Sequence, residues 1–201
     1  MKYDIYLVGV GGQGVLTIGE IIGDAAIQAG IPANFYPTKG MAQRGGFVKA
    51  QLKLGRARVG PQIPERGADL VIGTELSEAL KAVRYVRPGG EFLLYGHVWE
   101  PTAVMLGKAP YPTREQVLEQ VQAAGATARY LDPAQLPTHD GRPVPINLYV
   151  LGAAVGQTAL GGAGGHEPLL DVESVGRLIA GRWKRGVEAN VLAFQAGAAG
   201  K

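Results

Sequence analysis

The sequence predicts a three-layer α/β/α domain built around a largely parallel sheet. Short apolar runs at residues 5–8, 69–73 and 92–95 alternate with helical stretches of mixed polarity, the pattern of strand and helix in turn. A glycine-rich turn, Gly9-Val10-Gly11-Gly12-Gln13-Gly14, stands directly between the first of these runs and the first helix. Length agrees: 201 residues suffice for one α/β domain with a sizeable core and fall short of two. Residues 1–201 are therefore read as a single domain.

The elements follow in order. After the strand at 5–8, a helix is expected over 14–29, with Val15, Ile18, Ile21, Ile22, Ala25 and Ala26 on its apolar side. Gly30 is its expected C-cap, and Pro32 prevents continuation. A strand at 33–36 completes one βαβ unit, and residues 37–46 form a loop rich in glycine and base. Along 47–54 Val48, Ala50, Leu52 and Leu54 point one way and Lys49, Gln51 and Lys53 the other, which reads as a strand with one wet face. Residues 55–68 read as a long connection, 69–73 as a buried strand and 76–86 as a helix. Pro88-Gly89-Gly90 reads as a turn, ahead of a strand at 92–95. Glycines and prolines break up 96–112, where a short strand is expected at 103–106. A helix over 114–124 leads to a strand at 127–131. The stretch 147–160 is apolar nearly all round, as in a buried helix, although an apolar face kept for a partner would look the same. A glycine-rich loop at 161–168 and helices over 171–179 and 183–195 close the chain.

Charge and composition narrow the chemistry. There is no Cys, so this chain alone holds no iron–sulfur cluster, disulfide or cysteine nucleophile. The N-terminus enters a strand almost at once, without the apolar stretch of a signal peptide, and no run approaches a membrane span; a cytoplasmic protein is expected. Net charge is only +3, yet the bases are concentrated. From Ala25 to Gln62 there is no acidic residue, while Lys39, Arg44, Lys49, Lys53, Arg56 and Arg58 are basic. A local patch of this kind suits a small anionic ligand or one partner surface. Nucleic acid is disfavoured, because no stacking aromatics are interleaved with the bases.

A Gly-x-Gly-x-x-Gly turn between strand and helix lets a phosphate approach bare backbone at the positive end of a helix dipole, as in Rossmann-like folds. The competing reading is that the glycines only allow close helix–strand packing. A dinucleotide site demands an Asp or Glu at the end of the second strand, to accept from a ribose hydroxyl. Here Pro37, Thr38 and Lys39 stand there, which disfavours NAD and suits a ligand with an extra ribose phosphate, as in NADP or coenzyme A. Catalytic machinery is not visible. Ser77 and Ser174, the two serines, lie in no nucleophile elbow. His97, His139 and His166 are scattered in expected loops without metal-site spacing. Glu75 follows a buried strand, as a ligand-facing acid or as a helix N-terminal acid favoured by the dipole. Asn147 precedes the apolar helix, and by spacing is an N-cap before it is a ligand contact. No residue is assigned as catalytic or as a metal ligand.

Two stretches carry a resemblance: Gly9-Val-Gly-Gly-Gln-Gly-Val15, and Gly40-Met-Ala-Gln-Arg-Gly-Gly46 ahead of a strand. They resemble the gamma subunit or domain of 2-oxoacid:acceptor oxidoreductases, with wording nearest to the small subunits of the indolepyruvate and aryl-2-oxoacid branch. Residues 69–96, 147–152 and 184–197 agree, while about 97–145 matches loosely. The resemblance implies a subunit of a complex that converts a 2-oxoacid and coenzyme A to acyl-CoA, carbon dioxide and two electrons, here with an aromatic 2-oxoacid. It implies that thiamine diphosphate and Mg lie in alpha and beta subunits, and that 4Fe-4S clusters lie in an electron-transfer partner. This chain would hold part of coenzyme A and be inactive alone. The implied binding set is Gly9, Gly11, Gly12, Gln13, Gly14, Lys39, Gly40, Gln43, Arg44 and Asn147. Of these, Gly11 to Gly14 would face phosphate, and Lys39 and Arg44 would pair with the phosphates of the nucleotide end. The alternatives are a docking subunit without a ligand and an NADP-binding reductase.

Overall fold

A computed structural model describes residues 2–40 and 45–200. Six strands form one sheet in the order β2-β3-β1-β4-β5-β6: β1 Tyr3–Val10, β2 Ala33–Lys39, β3 Phe47–Leu54, β4 Ala68–Gly73, β5 Val86–Tyr95 and β6 Thr127–Leu131. The pairs β1–β4, β4–β5 and β5–β6 are parallel; β3 alone runs the other way, antiparallel to both β1 and β2. The largely parallel α/β sheet expected from the sequence is thus present. Its first βαβ unit is split, however. The helix α1 (Val15–Gln28) crosses from β1 to β2, but β3 lies between those two strands. The cause is local: only residues 40–46 separate β2 from β3, a length that folds as a hairpin and so pairs them antiparallel.

Helices cover both faces. Ile5 and Leu7 of β1 pack with α1, α5 (Ile146–Gln157), α6 (Val172–Arg182) and α7 (Val187–Ala199). Tyr6 and Val8 pack on the other side with α2 (Leu76–Ala82) and α4 (Arg114–Ala123). All of β1 is buried, since both its faces are covered. The apolar helix is internal: Leu148 to Val155 of α5 are buried. It lies backbone to backbone on α7. A Cβ on Gly197 would come 1.9 Å from the Tyr149 carbonyl oxygen, and one on Gly152 would come 2.0 Å from that of Phe194.

Several expectations need correction. Residues 103–106 are not a strand; Thr102–Met105 is a short helix, α3. Pro88-Gly89-Gly90 does not end an element but lies within β5, where the register with β4 shifts between Ala68 and Leu70, and Gly89 takes φ 71°. The helix begun at Leu76 tightens into a single 3-10 turn at Val83–Tyr85 before β5 starts. The wet face of β3 is not wet, since Gln51 and Lys53 are buried. No helix follows β3 to cover this corner, so the chain 55–67 does. Gln51 Oε1 accepts from the Ile63 N–H (2.5 Å), Lys53 Nζ donates to the Gln62 carbonyl (2.5 Å), and the Tyr36 hydroxyl donates to that of Val59 (2.7 Å). Polar side chains are what a bare loop backbone requires beneath it. Among the described residues no helix is long and apolar enough to cross a membrane.

Candidate functional site

The glycine turn leaves the carboxyl end of β1, where ligand sites of parallel α/β sheets gather. Its residues divide into those that lock the turn and those that stay open. Gln13 locks it. Its Oε1 accepts from the Val10 N–H (3.1 Å) and the Thr74 hydroxyl (2.6 Å), and its Nε2 donates to the Thr74 carbonyl (3.0 Å). The Gln13 main-chain N–H is spent on the Val10 carbonyl (3.3 Å). Gly9 belongs to the same lock: a Cβ there would stand 1.9 Å from Thr74 Oγ1 and 2.7 Å from Gln13 Oε1. Gly11 is tied to the next loop, its N–H donating to the Gly46 carbonyl (2.8 Å) while its carbonyl accepts from Gly45 N–H (3.4 Å).

Gly12 and Gly14 are different. Gly12 is exposed at φ 101°, a conformation glycine alone takes readily, and among the described residues nothing lies within 4 Å of where its Cβ would be. Gly14, at φ 70°, occupies the N-cap of α1 and gives that helix no side-chain cap. The first-turn N–H groups of α1 are therefore left without a cap from Gly14, at the positive end of the helix dipole. Beside Gly14 lies Asn147: its Nδ2 is 2.6 Å from where a Gly14 Cβ would stand. Asn147 is not the N-cap of α5, a place taken by Pro145; it sits within the first turn with its side chain against the glycine turn.

Across the hairpin, Lys39 ends β2 and is exposed, and the Gly40 N–H closes the hairpin on the Phe47 carbonyl (2.8 Å). Gln43 and Arg44 lie outside the described residues. The basic stretch is not one patch. Because β3 runs antiparallel, its end at Leu54 pairs with the start of β1 at Tyr3, so Lys53 and Arg56 lie at the far end of the sheet. There Arg56 is ion-paired to the buried Asp4, with Lys2 Nζ at 3.5 Å from the same carboxylate. Lys39 and Lys49 stay at the glycine end, Lys49 with its Nζ 5.7 Å from the centre of the Phe47 ring.

A second layer was not visible in the sequence. Glu75, almost fully buried, is the N-cap of α2 and accepts from the Ser77 N–H (3.0 Å) and Glu78 N–H (2.8 Å). It also accepts from the Tyr111 hydroxyl, which in turn accepts from the Trp99 N–H (3.0 Å). Burial and then the Glu75 hydrogen bond push the Tyr111 hydroxyl well above its ordinary pKa, so it stays protonated and donates. Trp99 reaches Gly45: its Nε1 is 2.5 Å from where a Gly45 Cβ would be. Neither Tyr111 nor Trp99 falls in a periodic element, so no spacing pointed to them. His97 stacks on Trp99 at 6.4 Å between ring centroids. The other histidines lie elsewhere, His139 near Asp140 and Glu188 (3.5 and 3.6 Å) and His166 in the loop that follows α5. Among the described residues no three His, Asp or Glu converge as metal ligands would.

Comparisons with known proteins agree with one another. The family model described as pyruvate ferredoxin/flavodoxin oxidoreductase matches residues 4–200. The indolepyruvate oxidoreductase subunit IorB of Methanothermobacter thermautotrophicus is 33% identical over 154 residues, 77% of this chain and 78% of that protein. The pyruvate oxidoreductase subunit PORC of Thermotoga maritima has a similar fold, with TM-score 0.69 at 20% identity, over 98% of this chain and 96% of that one. So does part of the 2-oxoglutarate:ferredoxin oxidoreductase of Magnetococcus marinus, solved with 2-oxoglutarate, coenzyme A and succinyl-CoA, with TM-score 0.59 at 17% identity, over 98% of this chain and 30% of that one.

Proposed function

The chain belongs to the pyruvate ferredoxin/flavodoxin oxidoreductase family, and from that premise we propose that it is the coenzyme A-holding, gamma-type subunit of a complex that oxidises an aromatic 2-oxoacid. The 33% identity to an indolepyruvate oxidoreductase subunit supports the substrate class. A fold neighbour solved with coenzyme A supports the ligand. The observation that carries the ligand reading is the open half of the glycine turn: an exposed Gly12 with free space before it and an uncapped α1, flanked by Asn147. A diphosphate fits such a place because uncapped N–H groups and the helix dipole offset its charge without a cation beneath it.

In this reading coenzyme A supplies the thiol that carries away the acyl group, and the chain works by positioning. Gly12 and the first turn of α1 receive the diphosphate, Asn147 donates an amide N–H beside it, and Lys39 and Arg44 meet the remaining phosphate. Gly9, Gly11 and Gln13 act indirectly, by holding the turn in shape. Thiamine diphosphate with Mg, the 4Fe-4S clusters and the alpha, beta and electron-transfer chains belong to the rest of the complex, and the isolated chain has no turnover.

The test is K39A/R44A in the reconstituted complex. Charge-assisted hydrogen bonds are worth about 1.5–3 kcal/mol each, so KM for coenzyme A rises about tenfold or more while KM for the oxoacid holds. Unchanged coenzyme A kinetics overturn the proposal. Loss of assembly with normal coenzyme A affinity in the residual complex favours a docking subunit, and hydride transfer from NADPH by the isolated chain favours a reductase.

A further inference from the structure

Trp99 is a half-exposed indole that the fold holds in place from beneath, an arrangement that packing alone does not require. Its main-chain N–H is fixed by the Tyr111 hydroxyl, and Tyr111 is fixed by the buried carboxylate of Glu75. The ring edge rests on Gly45, where any side chain would collide with Nε1. Gly45 in turn is hydrogen-bonded to Gly11 of the glycine turn. The loops after β5, β2 and β1 are thus linked in series, from the indole to Gly45 to Gly11, and His97 lies against the ring. A surface aromatic normally needs no buried anchor, and burying a carboxylate is costly unless it is fully hydrogen-bonded. Among the described residues, Glu75 meets that condition through Tyr111 and the first turn of α2.

We propose that Trp99 is the stacking platform for the adenine ring of the bound nucleotide, with Tyr111 and Glu75 as the positioning residues that hold it. This rests on the coenzyme A reading of the site and extends it to the base. The chemistry matches: a purine offers a π face, its diphosphate belongs at the glycine turn, and a rigid aromatic next to that turn takes the base without hydrogen-bond readout.

The chain has two tryptophans, so the W183F variant leaves Trp99 as the sole indole reporter. Titration with coenzyme A and with adenosine 3′,5′-bisphosphate quenches Trp99 fluorescence; pantetheine, which lacks the base, does not. W99A weakens binding of both nucleotides roughly 5- to 160-fold, the range for removal of one stacked base, and W99F weakens it less. In the assembled complex, Y111F raises KM for coenzyme A while kcat and KM for the oxoacid hold. If calorimetry records coenzyme A binding that K39A weakens, but Trp99 is not quenched and W99A binds normally, the platform is wrong and the coenzyme A reading survives. If no coenzyme A binds to chain or complex, both fall. If W99A abolishes assembly while nucleotide binding to the free chain is unchanged, Trp99 is a docking residue and the platform is wrong.

Discussion

Gly9 opens the glycine motif, yet the structure gives it a packing role, and that difference is measurable. In G9A the new Cβ would stand 1.9 Å from Thr74 Oγ1, 2.7 Å from Gln13 Oε1 and 2.9 Å from Val15 Cγ2. The first distance is more than an ångström inside van der Waals contact. Thr74 cannot retreat with its backbone, because its N–H is bonded to the Val8 carbonyl at 3.0 Å. It can only rotate its side chain and give up the 2.6 Å bond to Gln13. Overpacking of this kind costs about 1–3 kcal/mol and the lost hydrogen bond about 0.5–1.5 kcal/mol, so G9A is destabilised by roughly 2–4 kcal/mol. For a chain of this length that lowers Tm by about 4–16 °C. T74A removes the same hydroxyl at a cost of about 1–2 kcal/mol, and Gln13 keeps its bonds to the Val10 N–H and the Thr74 carbonyl. The double variant G9A/T74A lacks the worst contact and the bond it breaks, so its loss falls short of the summed single losses by about 1–2 kcal/mol. Urea unfolding and thermal melts of the four proteins give the cycle. Additivity within about 0.5 kcal/mol, or a G9A protein as stable as the parent that has lost coenzyme A affinity, refutes the packing role.

Other glycines sort the same way by what lies in front of them. G197A drives a Cβ into the Tyr149 carbonyl, a backbone atom that cannot turn aside, so α5 and α7 separate and soluble yield and Tm fall sharply; G176A meets the Phe194 ring at an ordinary 3.7 Å and raises stability by up to about 1 kcal/mol through helix propensity. Asp171 caps α6 through the Ser174 N–H (2.8 Å), and that bond holds its carboxyl below the ordinary value of 3.8. A depressed folded-state pKa gives stability that is present above 3.8 and lost as pH falls through the folded value. D171A is therefore less stable by about 1 kcal/mol near neutrality, and in acid melts its deficit closes as the parent loses its cap.

The elements were legible because period is local. Alternation along Phe47–Leu54 and the four-residue spacing in α1 are written in neighbouring letters. Pairing is not local. Nothing in residues 5–36 says that β3 will enter between β1 and β2, and only the short 40–46 segment hints at it. The same blindness made the basic residues look like one patch. In the sequence Lys39 and Arg56 stand close together; in the fold an antiparallel strand carries Arg56 the length of the sheet, to the buried Asp4. Glu75 and Asn147 show the limit from the other side. Each was singled out with two readings; spacing could not choose for Glu75, and for Asn147 it chose the N-cap, wrongly. The fold makes Glu75 the cap of α2 and denies that role to Asn147, because Pro145 already holds it.

On the proposed reading the turn binds an anion, so it must be both fixed and unsatisfied, and here those demands fall on different atoms. The donors that would collapse the turn or blur its shape are spent inside the protein: Gln13 N–H on Val10, Gly11 N–H on Gly46, the Gln13 amide on Thr74. Among the described residues, what remains open is Gly12 and the first turn of α1, whose N-cap carries no side chain to compete for the N–H groups. A Ser or Asp at position 14 would cap α1 and stabilise it by about 1 kcal/mol in most helices, but Gly14 holds φ 70° against Asn147, and the cap would occupy the donors a phosphate needs. The missing cap is thus the feature of the turn on which the proposed coenzyme A reading leans most. If the proposed reading holds, the anion itself completes the helix: phosphate-bearing ligands should raise Tm, with the logarithm of their affinity at fixed concentration, and pantetheine, which has no phosphate, should not.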